Sequence, residues 1–353
     1  KGDGSVASYR ILVPPEWKLS DNLIIGNYSA GVKDFEWELD VEGERKFSKV
    51  QIEDANCVYG FVGENCDTYI YHSTCERCGA VFPENAKVID VAGTNIQNFR
   101  INPFLDGNVF RPKKVILDNC PKLESIAFGR SDDPTMMDAP EVSAKDCPKL
   151  ANVTFSYTEV PGGFLDNIEM HGGRLILNHV TGLTDISIRN NCELLSISHC
   201  IFNSLNVTGL NGLKTFSLSD CTFAAAGLAA LPCLETADFY RNTAESVTID
   251  NCGALERVQV SNENGTGCAL ASLSVTNCAS LNTLYCQDVG MSSFEASGLP
   301  VIEYLNCSGN RNLTGVMLPV FDQMYNAGLH PVYDIRFEYE WEELKKDKPA
   351  SYI

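Results

Sequence analysis

Leucine or isoleucine stands at positions 96, 123, 150, 183, 213, 234, 255, 281 and 302, and each opens the same short apolar pattern. Three residues on, the chain reads Phe99, Ile126, Val153, Ile186, Phe216, Ala237, Val258, Leu284 and Leu305. Two further on come Ile101, Phe128, Phe155, Ile188, Leu218, Phe239, Val260, Cys286 and Cys307. The period-two ending puts the last two apolar residues on one face of a short strand. A second alternating segment precedes many of these strands: Val115 to Leu117, Leu205 and Val207, Val247 and Ile249, Leu273 and Val275. Each turn of chain is therefore expected to carry a strand on two faces, with a basic turn of about 21 residues and longer insertions in the first half. Such coils stack at the ~4.8 Å spacing of paired strands, and each relies on its neighbours to bury its apolar side chains.

Five residues after the middle column stand Asn191, Cys221, Asn242 and Asn310. The completed pattern L-x-x-L-x-L-x-x-N/C resembles the leucine-rich-repeat family over residues 86–313. The asparagine ladder is incomplete, since the column also holds Phe104, Ser131, Thr158, Glu263 and Val289. The resemblance implies a mainly β right-handed superhelical solenoid with short strands on both faces and non-repeat caps at both ends. It also implies recognition of macromolecules, as in exported bacterial leucine-rich-repeat proteins.

Residues 1–85 do not repeat, and Tyr9 to Val13 and Phe35 to Leu39 read as strands of an N-terminal cap or small β-rich domain. Residues 314–353 read as a C-terminal cap. There, Leu318 to Ala327 is expected to be a short helix stopped at Gly328, followed by a strand over Val332 to Glu338 and a charged tail, Glu342 to Lys348.

A net charge of −19 and a pI near 4.6 argue against nucleic acid and anionic membrane surfaces as partners. No apolar run approaches the ~20 residues that span a bilayer. The opening Lys1-Gly2-Asp3-Gly4-Ser5 resembles the start of a processed exported chain, giving the expectation of a secreted or surface protein, lipid-anchored through a removed N-terminal segment.

Six of the fifteen cysteines, Cys120, Cys147, Cys252, Cys278, Cys286 and Cys307, sit in apolar positions of the repeat. Cys120, Cys147, Cys252 and Cys278 share a position with valine and leucine in other coils, which marks them as buried structural thiols. Cys57, Cys66, Cys75 and Cys78 form a separate cluster around His72. Cys75-Glu76-Arg77-Cys78 resembles one knuckle of a zinc ribbon, but the second C-x-x-C is missing, so disulfides, plain thiols and structural zinc all stay open. His171, His179 and His199 read as surface residues. No motif implies a cofactor, and no nucleophile elbow, metalloprotease or phosphate-loop signature occurs.

Function rests on the outward positions of the repeat strands. In the first half they are small and neutral, apart from Asp185 and Arg189 beside Ser187. The second half gains Tyr240, Tyr285, Tyr304, Arg257 and Asp238. Tyrosine and arginine are favoured at binding hot spots, which makes these five the expected ligand-binding residues for a protein or glycan partner. Two alternatives accompany this nonenzymatic reading. A parallel β-helix carbohydrate-active enzyme would need clustered acid, base and cationic residues on successive coils, and the outward positions lack that cluster. A purely structural stalk would need no ligand.

Overall fold

The structure is a computed structural model. It describes residues 86–101, 112–132, 134–261, 269–313 and 319–332, together with the backbone of six strands between residues 7 and 72. The chain divides into two compact units, residues 1–173 with 180–182, and residues 174–179 with 183–353.

The first unit begins with β1 (Ala7–Val13), β2 (Asn22–Ile25), β3 (Phe35–Val41), β4 (Phe47–Glu53), β5 (Cys57–Val62) and β6 (Cys66–His72). It continues with β7 (Val88–Asp90), β8 (Asn98–Ile101), β9 (Lys114–Ile116), β10 (Ser125–Phe128), β11 (Met137–Asp138), β12 (Glu141–Ser143) and β13 (Asn152–Glu159). β1, β3 and β5 form one parallel sheet. β2, β4, β6, β7, β9 and β12 form a second, and β8, β10 and β13 a third, with β11 beside β13. The strand-like runs at Tyr9 and Phe35 thus lie in β1 and β3, and β2, β4 and β6 extend the sheet that contains β7, β9 and β12.

The second unit alternates strands between two parallel sheets. One sheet holds β14 (Arg174–Thr181), β16 (Leu194–Ser198), β18 (Thr215–Ser219), β20 (Thr236–Tyr240), β22 (Arg257–Ser261), β24 (Thr283–Tyr285) and β26 (Tyr304–Asn306). The other holds β15 (Asp185–Ile188), β17 (Ser204–Thr208), β19 (Thr222–Ala229), β21 (Thr243–Asp250), β23 (Ala269–Thr276) and β25 (Ser293–Ser297). The sheet that starts at β14 is called the repeat face below, and the sheet that starts at β15 the opposite face. Stacked coils with parallel strands and almost no helix define a β-solenoid.

Alternation explains the burial. On the repeat face Phe216, Leu218, Ala237, Phe239, Val258 and Val260 are buried, and on the opposite face Ala226, Leu228, Val247, Ile249, Leu273 and Val275. The intervening residues stay part-exposed, so each sheet contributes one side to the core. Phe216 and Phe239, diagonal neighbours on successive coils, lie 5.4 Å apart between ring centroids.

Both faces end their strands in the same way. A residue with left-handed backbone precedes a buried corner residue: Asp220 before Cys221 and Arg241 before Asn242 on the repeat face, Ala230 before Leu231 and Asn251 before Cys252 on the opposite one. The positive φ turns the chain from one sheet toward the other while the N–H of that residue still bonds the next coil, as Ala230 does to the Asp250 carbonyl at 3.1 Å.

The shared motif overturns one sequence expectation. Leu183 leads into β15, which holds Ile186 and Ile188 on the opposite face, so Asp185, Ser187 and Arg189 do not join the repeat face, and Asn191 is exposed outside the corner column. The repeat-face strands of this region are β14 and β16, where the anchor positions hold Gly172 and Cys192 instead of leucine. The two faces present the same apolar alternation, so periodicity alone does not assign a strand to a sheet.

At the C-terminal end, α1 (Pro319–Asn326) buries Val320, Phe321 and Met324. Gln323 donates to the Leu299 carbonyl at 2.7 Å. Gly328 stops the helix with φ of 76°, and the Leu329 N–H reaches back to the Met324 carbonyl at 2.8 Å. Past Val332, which bridges Asn306, the expected strand and charged tail lie outside the described residues.

Candidate functional site

Four adjacent strands place the expected binding residues. Parallel pairing lines up Asp238, Gln259, Tyr285 and Asn306 in one outward column across β20, β22, β24 and β26. Thr236, Arg257, Thr283 and Tyr304 form the neighbouring column. Tyr240 lies two residues beyond Asp238 on β20 and shares its outward side.

Tyr285 and Tyr304 meet diagonally, their rings 5.9 Å apart between centroids and 16° from parallel. Their hydroxyls are tied down by amides. Tyr285 Oη donates to Gln287 Oε1 at 3.0 Å, and Asn306 Nδ2 donates to the same oxygen at 3.1 Å and to Tyr304 Oη at 3.4 Å. Asn306 is itself buried, and its Oδ1 accepts the Ser308 N–H and hydroxyl at 3.1 and 2.8 Å. Gln287 Nε2 reaches Asp288 Oδ2 at 2.7 Å. The two rings are therefore held by a connected network, and little rotamer freedom is left to lose on binding.

Asp238 and Arg257 make the second half of the patch. The guanidinium donates to Gln259 Oε1 and lies 3.6 Å from Asp238 Oδ1. That oxygen is buried and accepts no hydrogen bond. Desolvation raises the Asp238 carboxyl above the ordinary carboxylate range, and the nearby Arg257 charge only partly opposes it.

Two further features were not read from the sequence as units. His179 and His199 stack at 4.2 Å with planes 9° apart, at successive left-handed corners. Below them Asp220 accepts from Arg241 at 2.7 Å and lies 3.8 Å from His199. Burial and the neighbouring His199 ring lower the His179 pKa. A groove of about 720 Å³ runs where the repeat-face corners lead into β19, β21 and β23, over Phe202, Phe223, Ala244 and Leu270, beside the exposed Ile201. Its signal in the sequence was a phenylalanine two residues after a corner cysteine, Phe202 after Cys200 and Phe223 after Cys221.

The ten described cysteines are all free thiols, nine of them buried and Cys233 exposed. Cys147, Cys200, Cys221 and Cys278 donate to main-chain carbonyls at 3.1 to 3.2 Å. Burial pushes the Cys192 thiol up to about 11, which keeps it protonated and unreactive. Of the zinc candidates, Cys57 and Cys66 open β5 and β6 in different sheets, and their side chains lie outside the described residues, as do Cys75 and Cys78 entirely. Among the described residues no three His, Cys, Asp or Glu side chains are placed to hold a metal ion, and no helix is long and apolar enough to cross a membrane.

Comparisons with protein families, with curated proteins and with solved structures give no match.

Proposed function

We propose that this chain is a nonenzymatic recognition protein of the leucine-rich-repeat type, displayed outside the cell, which engages a protein or glycan partner through the repeat face of β20 to β26. The observation that carries the reading is the hydrogen-bonded network that holds Tyr285 and Tyr304 in place on an outward strand surface. A strand surface needs no such network for solubility, whereas a binding surface gains from rings already ordered before contact. Tyr240, Asp238 and Arg257 widen the patch on the strands beside it.

The leucine-rich-repeat assignment is supported by the corner column. Asn242 and Asn310 each satisfy main-chain groups of the coil before them, the role that the N/C position of the motif requires. Alanine at Tyr285 is expected to weaken partner binding by more than ~1 kcal/mol, against no change for alanine at Thr215 on β18. Unchanged affinity for both variants in a titration would remove this face from consideration.

A further inference from the structure

The outward surface of β20 to β26 has a composition that discriminates between kinds of partner. Its polar groups are hydroxyls and amides, with Thr236 and Thr283 beside Gln259, Gln287 and Asn306, and one ion pair, Asp238 with Arg257. Gln259 and Gln287 are part-exposed, and Asn306 is buried and bonded on both its amide atoms. An amide donates and accepts in the same place, which matches a hydroxyl that also does both. The aromatic groups of this surface are Tyr240 and the near-parallel pair Tyr285 and Tyr304, of which Tyr304 is 39% exposed.

A protein partner of ordinary size covers about 800 Å² on each side and seats an apolar centre on its target. Of the large hydrophobic side chains exposed among the described residues, only Tyr304 and, at the edge, Val332 belong to this face. Two isolated side chains do not make such a centre. Charge narrows the choice further. Among the described outward residues of these strands the one cation is Arg257, which already contacts Asp238 and Gln259, and the chain carries a net charge of −19. Uronate or sulfate groups would meet repulsion without a free counter-charge.

We infer that the partner of this face is a neutral glycan, with the apolar faces of its sugar rings lying on Tyr285 and Tyr304 and its hydroxyls hydrogen-bonding to Gln259 and to the amide nitrogen of Gln287. The inference rests on the recognition reading above and names the chemistry of the ligand. The parallel strands place Gln259, Tyr285 and Asn306 in one column on successive coils, so a linear chain of sugars lying across the strands would meet them in turn.

The test is native affinity electrophoresis of the whole chain through gels cast with a β-1,3-glucan, a β-mannan, a xylan or an α-glucan. A polygalacturonate gel serves as the acidic comparison. Retardation is expected in at least one neutral gel and not in the acidic one. Tyr285→Ala and Tyr304→Ala should each raise the dissociation constant about tenfold or more, while Tyr304→Trp, which keeps an aromatic face, retains binding. Circular dichroism and melting of each variant establish that the fold is intact. No retardation in any neutral gel, or retardation indifferent to both tyrosines, overturns the inference. Binding to a purified protein partner that depends on Tyr285, without retardation by glycans, also overturns it but leaves the recognition reading standing. Loss of nothing at all in either assay when both tyrosines are removed sinks the recognition face itself.

Discussion

Asn242 lies one coil beyond Cys221 and closes the corner above it. Its Oδ1 accepts the Cys221 N–H at 3.0 Å, while its Nδ2 donates to the Leu218 carbonyl at 2.8 Å. Asn310 repeats the arrangement. It accepts from Val289 and Met291 at 3.2 Å each and donates to the Cys286 and Cys307 carbonyls at 2.8 Å. Where the column holds Cys221 in place of asparagine, the thiol bonds the Ser219 carbonyl at 3.2 Å and fills the space as a small apolar group.

Removing either asparagine side chain strands buried main-chain groups. Asn242→Ala and Asn310→Ala are each expected to cost about 2–4 kcal/mol in denaturant unfolding. Asn191, exposed and outside the column, should cost less than about 0.5 kcal/mol when changed to alanine. Equal effects at Asn191 and Asn242 would contradict the coil register described here.

The corner residues store backbone strain that glycine relieves. Ala230 is exposed and has φ of 51°. Ala230→Gly should stabilise the protein by about 0.5–1 kcal/mol, because alanine is penalised in the left-handed region and glycine is not. At Gly129 the reverse change should cost well over about 2 kcal/mol, since a Cβ there would lie 1.7 Å from the Ser156 carbonyl oxygen. Thermal melting of the two variants checks both signs.

Much of this architecture was legible before any coordinates. Paired apolar columns such as Phe216 with Leu218 specify a half-buried strand, and their recurrence specifies stacked coils. The assignment failed at Leu183 because β15 on the opposite face carries the same alternation, while Gly172 and Cys192 hide the true anchors of β14 and β16. The five patch residues were visible as outward positions. The network among Gln287, Asn306 and the tyrosine hydroxyls was not, since it depends on a diagonal contact between columns. The groove beside Ile201 was also hidden, because it arises from corners that no single-strand pattern describes.

Asp238 gives a pH signature. Its side chain is 24% exposed, and its raised pKa means the folded state holds the proton more tightly than the unfolded chain does. Stability therefore falls as pH rises from the ordinary carboxylate range through the raised value, and the full penalty is present above it. Asp238→Asn removes the buried charge, so its melting temperature should exceed wild type at pH 7 and converge on wild type below the ordinary carboxylate range. A gain that persists unchanged in acid would refute this origin.

The thiols offer an independent check of the core. Of the described cysteines, Cys233 alone should react with iodoacetamide in the native state, and the nine buried ones should react only after denaturation. Peptide mapping that found Cys221 or Cys252 labelled early, or already oxidised, would contradict the packing.

The most direct test of the recognition face is a crosslinking capture from cell-envelope and mucosal extracts. Wild type would run beside a triple variant carrying alanine at Tyr240, Tyr285 and Tyr304, with folding confirmed by circular dichroism. A partner captured by wild type and lost by the triple variant is the predicted result. The same partner captured equally by both, or nothing captured by either, would contradict the assignment of binding to this face.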